Sequence, residues 1–200
     1  MGLITPLRSD SGQVPDAVAP SINGLRAWNY DLSAVATRAA PDTQRRYYVK
    51  LAVPQTVVVT NIVVNIGATL TLAANNFAAL YSVSGGTGTR VGVTADQVTA
   101  WAAGAGPITS ALTGGPFTLQ GGTGVFAYVG LLFTGGTLTN ALYASLMPAS
   151  VSNTGLTGAS GSLYRVGYGG AGATDLPTSE NLAGISNGGL AGLVPWVGLS

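Results

Sequence analysis

TVVVTNIVVNIGATLTLAANNFAALYSVSGG, residues 56–86, contains no charged side chain, and its reading decides between a membrane span and a strand-built core. A spanning helix needs about 20 predominantly apolar residues in succession. Here Thr60, Asn61, Asn65, Thr69, Thr71, Asn75 and Asn76 interrupt at short intervals. Periodicity points to strands. In TVVVTNIVVNI the even positions Val58, Thr60, Ile62, Val64 and Ile66 are β-branched, while the odd side admits Asn61 and Asn65. The spacing therefore predicts one strand with its even side packed and its odd side mixed. Gly67 breaks it, residues 69–72 alternate again, and Phe77, Ala79, Tyr81 and Val83 alternate up to the turn at 84–86. No membrane insertion is expected.

The same alternation extends to both sides. In RRYYVKLAV, Tyr47, Val49, Leu51 and Val53 face one way and Arg46, Tyr48 and Lys50 the other, and Pro54 closes the strand. VFAYVGLLF, residues 125–133, is continuously apolar between glycine-rich turns, the pattern of a central strand buried on both faces. Further strands are expected in RVGVTADQ, ITSALT, PFTLQ, LYRVGY and VPWVGLS, with Trp101 in a small-residue loop. Short strands, frequent turns and no sustained amphipathic helix predict an all-β chain, a jelly-roll-like antiparallel β-sandwich over residues 45–200. Residues 1–44, with prolines at 6, 15 and 20 and little periodicity, read as an extended N-terminal arm. Arg8, Arg26 and Arg38 are its candidate docking contacts.

Composition narrows the function. Two hundred residues suit one domain. Hydrophobic residues make up 46% of the chain and charged residues only 8%, the reverse of a disordered segment. Eight basic against seven acidic side chains leave no electrostatic footprint for nucleic acid. Without cysteine there is no disulfide framework, so stability comes from packing or from partner copies covering apolar faces. The opening MGLITPLRSDSGQVPD lacks the apolar stretch of a secretory signal.

Catalytic chemistry finds little material. With no histidine, a His-based triad cannot be assembled, and with no cysteine either the usual zinc sites are missing. Asp96 paired with Asp175 or Glu180 could form a glycosidase couple; acids in Gly- and Thr-rich segments more often bind local backbone amides in turns, and that reading is preferred. GYGGAG at 167–172 fits a dinucleotide-binding pattern in form only, since Pro177 interrupts the helix that should follow. Lys50, the single lysine, lies in no phosphate-binding loop. No cofactor is expected. The aromatics Trp28, Tyr30, Trp101 and Trp196 are candidates for an interface or for stacking on sugar rings, with core packing the preferred alternative.

At this point a resemblance can be stated. NNFAALYSVSGGTGTRVGVTADQVTAW and LTGGPFTLQGGTGVFAYVGLLF, together with LRAWNYD near the start and WVGLS at the end, resemble β-sandwich virion proteins of tailed phages infecting actinobacteria, a group known as minor tail proteins. Residues 1–20 and 134–185 match least. The resemblance implies a non-enzymatic component on the virion surface, in the tail or adsorption apparatus, and a homo-oligomer, with a trimer among the options. Two alternatives stay open: a decoration protein on the capsid of the same particle, and a carbohydrate-binding module recognising host surface glycans.

Overall fold

The computed structural model describes residues 20–145, 166–187, 190 and 193–200. In chain order its strands are β1 (Ala27–Trp28), β2 (Thr37–Ala39), β3 (Arg46–Ala52), β4 (Val57–Val59), β5 (Asn61–Ile66), β6 (Thr71–Leu72), β7 (Phe77–Ser84), β8 (Thr87–Val93) and β9 (Gly106–Ala111). There follow β10 (Phe117–Leu119), β11 (Phe126–Leu132), β12 (Gly135–Thr137), β13 (Leu142–Ser145), β14 (Val166–Tyr168), β15 (Ser179–Asn181), β16 (Ser186–Asn187), β17 (Val194–Pro195) and β18 (Val197–Leu199). One short helix, α1 (Val98–Ala102), lies between β8 and β9. Among the described residues no helix is long and apolar enough to cross a membrane.

The strands form two seven-stranded antiparallel sheets. In the first, β5 lies between β9 and β18, β1 flanks β18, and β13 joins the end of β5 through Leu142 opposite Ile66, bringing β2 and β17 with it. The second runs β15-β8-β7-β11-β3-β14-β16. The ribbons β4–β10 and β6–β12 complete the set. The chain passes from one sheet to the other between β3 and β5, β5 and β7, β8 and β9, β9 and β11, and β11 and β13. This wrapping is the jelly-roll-like sandwich that the alternation predicted.

In β3 and β5 the core is what that alternation turns inward, whereas in β7 the alternating set Phe77, Ala79, Tyr81 and Val83 packs on the opposite face and Ala78 and Leu80 enter the main core. Tyr47, Val49 and Leu51 of β3, Ala127, Val129 and Leu131 of β11, and Ala78 and Leu80 of β7 meet Ile62, Val64 and Ile66 of β5 and Val197 and Leu199 of β18. Strand β11 is covered on its other face too, by the cluster that holds Tyr128 and Leu132. It is the doubly buried central strand expected from 125–133.

The opening stretch needs one correction. Residues 56–66 are two strands, not one: β4 pairs with β10, and β5 pairs with β9 and β18. The even side packs only in β5. In β4 the phase is opposite, with Val57 and Val59 buried and Val58 52% exposed. The reset falls at Thr60, whose N–H donates to the Ser200 carbonyl, 2.7 Å, while its own carbonyl accepts from Leu112 N–H, 2.9 Å. A period-two pattern fixes which residues share a face only while the strand stays in one sheet.

The first sheet also begins earlier than residue 45. β1 pairs with β18 and β2 with β13, so described residues from the expected arm contribute two strands to the sandwich. Their backbone finds partners on the C-terminal strand: Arg26 N–H donates to Leu199, 2.7 Å, and Asn29 N–H to Val197, 3.2 Å. Five further elements were not foreseen. Strands β12, β13, β15 and β16 lie in segments rich in Gly, Ser, Thr and Asn, where two to four residues carry no periodic signal, and α1 replaces the loop expected at Trp101.

The second sheet carries a strap across its outer face. Strands β15 and β16 pair with opposite edges, β8 and β14. Six strand-to-strand steps of about 4.8 Å separate these edge strands along the sheet, roughly 29 Å. From Asn181 to Ser186 the chain can reach only about 17 Å at 3.4 Å per residue. The sheet must curl around the strap. Leu182 and Ile185 fill the hollow beside Tyr48, Tyr81 and Tyr128, and glycines make room for them: a Cβ on Gly88 would meet Leu182, and one on Gly167 would meet Ile185.

Candidate functional site

The aromatic candidates separate into two places. Trp101 is the only buried residue of α1 and is wholly enclosed, its ring 4.7 Å from that of Phe133. Its indole N–H is buried with no hydrogen-bond partner. Trp101 packs the main core and presents no ring face to a ligand.

Trp28, Tyr30 and Trp196 come together on the outer face of the first sheet, around Leu25 and Val63. The reason is a knot between the two ends of the described chain. Asn29, between the two aromatics of LRAWNYD, donates its side-chain amide to the Pro195 carbonyl, 2.7 Å, and accepts the Val197 N–H on its side-chain oxygen, 3.1 Å. The Tyr30 hydroxyl donates to the Val194 carbonyl, 2.7 Å. The Trp196 indole N–H donates to the Tyr30 carbonyl, 3.0 Å. Burial pushes the Tyr30 phenol well above its ordinary pKa, opposed in part by a backbone contact at Ser145, so it stays a neutral donor. With Trp101 and Trp196 enclosed, Trp28 is the one tryptophan that is only partly buried. Asn29 was missed in the sequence; its position between two candidate aromatics was the available signal.

Beside this knot lies a hollow of ≈ 330 Å³, lined by Asn23, Leu25, Val63, Pro107, Thr109 and Trp196. Gly24, at φ +70, turns the chain there after a short 3-10 turn over Pro20–Asn23. The outer faces of the sandwich are otherwise covered by the chain itself: among the described residues only Val58 and Val125 are exposed large hydrophobics.

Of the docking arginines, Arg8 lies outside the described residues. Arg26 is exposed next to β1. Arg38 is exposed on β2, with its guanidinium 5.0 Å above the Tyr143 ring and 3.2 Å from the Tyr143 hydroxyl. It is laid along the sheet.

Asp96 stands apart from the other two acidic candidates, Asp175 and Glu180, which both act on the Tyr81 phenol. The Asp96 carboxylate accepts the backbone N–H groups of Asn75 (2.7 Å), Asn76 (2.9 Å) and Val98 (3.1 Å). Its slight burial works against the charge, but these three donors prevail and hold its pKa below the ordinary value. Asp175 faces Arg90 at 3.5 Å. Glu180, on the strap, accepts the Tyr48 hydroxyl at 2.5 Å and pairs with Arg46 at 3.2 Å. Burial, then the carboxylate beside it, pushes the Tyr48 phenol far above its usual range. The strap is further tied by the Tyr81 hydroxyl on the Pro177 carbonyl, 2.8 Å, and by Arg90 on the Leu176 carbonyl. These contacts fasten turns and strap to the sheets, and no two of the three acids share a hydrogen-bond or ion-pair partner in them.

Lys50 is buried on the outer face of β3 with its ammonium 3.8 Å from the centre of the Phe126 ring. GYGGAG starts in β14 and leads into the strap, not into a helix. Among the described residues no three His, Cys, Asp or Glu side chains gather where they could hold a metal ion. Comparison with family models, with curated proteins and with solved structures finds no match to this chain.

Proposed function

We propose that this chain is a non-enzymatic structural protein on the surface of a tailed-phage virion, a minor tail or adsorption component. One observation carries the reading: the segments that resemble such proteins are the framework of the sandwich. LRAWNYD and WVGLS, at the two ends of the resemblance, are knotted together by side-chain and backbone hydrogen bonds. NFAALY is in β7, GVTADQVTAW runs from β8 into α1, and YVGLL lies in β11. The segment of weakest resemblance, 134–185, contains most of the strap.

The roles of the acids agree with this reading, because Asp96, Asp175 and Glu180 each hold backbone or arginine partners that fix local structure. A glycan-stacking role loses two of its three indoles to the interior and rests on Trp28. Gold-labelled antibody against this chain, applied to intact virions and read by electron microscopy, tests the proposal. Label at the tail end supports the adsorption role, label over the head moves the protein to capsid decoration, and virions without label refute both.

A further inference from the structure

We infer that the hollow beside the knot is a binding site for a neutral sugar ring, held by its C–H face on an aliphatic floor and by its hydroxyls on Asn23 and Thr109. The floor is set by strand register. On the outer face of the first sheet Val63 of β5 lies opposite Thr109 of β9 and Gly198 of β18, so the three form one row across the sheet. Gly198 has no side chain to fill its place in that row, and Leu25 and the Trp196 ring close over it: a Cβ there would meet them at 3.1 and 3.0 Å. The hollow of ≈ 330 Å³ lies over Val63, with Leu25 and Trp196 on one side and Pro107 and Thr109 on the other. Its walls are fixed in advance, which lowers the cost of binding. Leu25 N–H donates to the Pro20 carbonyl, 3.0 Å, Ser200 N–H to the Asn61 carbonyl, 3.1 Å, and the Trp196 indole to the Tyr30 carbonyl.

The lining sets the class of ligand. None of the lining residues is charged, so an ion would give up water there without meeting a counter-charge. Neither the Asn23 amide nor the Thr109 hydroxyl is bonded to a described residue, and both residues are exposed. The Ser200 hydroxyl accepts from the Asn61 side chain, 3.2 Å, and keeps its own proton to donate. Together these groups offer donors and acceptors alike, which suits a molecule with several hydroxyls, while Leu25, Val63 and Pro107 suit a ring with an apolar face. A pyranose has both. The hollow is at the lower end of the range for small-molecule pockets, about 300–1,000 Å³, so it takes one ring and no oligomer. The ring is not stacked on an indole, since Trp196 is enclosed. The site does not rest on the virion reading.

Nitrogen–proton correlation NMR on the purified full chain tests this, with the methyl glycosides of glucose, galactose, mannose and N-acetylglucosamine as probes and glucuronic acid as their charged counterpart. At millimolar concentration at least one neutral glycoside is expected to shift the Gly24 and Thr109 amides and the Trp196 indole signal saturably, and glucuronic acid to bind more weakly. Thr109→Val, which keeps the shape of the side chain and removes its hydroxyl, is expected to weaken that binding about two- to tenfold. Thr109→Phe, at an exposed strand position that accepts an aromatic, is expected to fill the hollow and abolish binding with the melting temperature unchanged. Thr89→Val, exposed on β8 of the other sheet, is expected to bind as the unmodified chain does. No saturable shift from any neutral glycoside, glucuronic acid bound as tightly as the best of them, full affinity in Thr109→Phe, or an equal loss in Thr89→Val would each overturn the inference.

Discussion

Replacing Trp101 by alanine tests whether the indole is a structural plug. The side chain is fully enclosed and stacked against Phe133. An indole that buries about 150–250 Å² at roughly 25 cal/mol per Å² is worth about 4–6 kcal/mol. That range is an upper bound, because the unfolded chain already covers part of the same surface; truncation series give about 3–5 kcal/mol. The loss is concentrated because α1 has five residues, no side-chain cap and no other buried residue. For a chain of this size a drop of about 3–5 kcal/mol lowers the melting temperature by roughly 6–20 °C. Trp101→Phe separates packing from polarity. It leaves a smaller void and removes the unpartnered indole N–H, so about 1–2 kcal/mol is expected. Urea unfolding followed by circular dichroism measures both, with a constant slope as the check that only stability changed. A loss below about 1 kcal/mol for alanine refutes the plug, and a phenylalanine variant as damaged as the alanine one means that the N–H is satisfied in the native protein.

Two further outcomes follow from single positions. Gly121→Ala is expected to destabilise by about 3 kcal/mol or more, since a Cβ there would collide with the backbone of Gln55 and Thr56, which cannot move aside as a side chain can. Gly122→Ala, whose Cβ would sit 3.4 Å from a Val125 methyl, is expected to stay within about 0.5 kcal/mol, and urea midpoints of the pair decide. The pH dependence follows from Asp96, whose folded pKa is depressed. Its contribution is therefore fully present above its unfolded value, near 3.8, and is lost as pH falls through the lower folded value. Asp96→Asn is expected to flatten this acid limb when urea midpoints are compared at about pH 6 and about pH 3; an unchanged limb would show that other carboxylates dominate it.

Much of the fold was legible because alternation is local. The inward set Tyr47, Val49 and Leu51, the doubly buried run through Val129, and the even side of β5 all follow from residue type and a period of two. The same logic failed at Thr60, where the chain leaves one sheet for the other and the packed side changes parity. The aromatics show the limit more sharply. Trp28 and Trp196 are equally apolar in sequence, yet one is only partly buried and the other is enclosed, because enclosure depends on Asn29 and Tyr30 closing over a strand more than 160 residues away.

The sequence by itself determined that this chain is built from strands, that it carries neither a histidine nor a cysteine for chemistry, and that its body is almost without charge. Only the tertiary structure decided that Asn29 and Tyr30 are knotted to Val194–Val197 and that Glu180 fastens a strap across a curled sheet. The physical reason is the range of the forces involved. Side-chain alternation and turn chemistry act over a few residues, whereas strand pairing and curling arise from contacts between segments that the sequence places far apart.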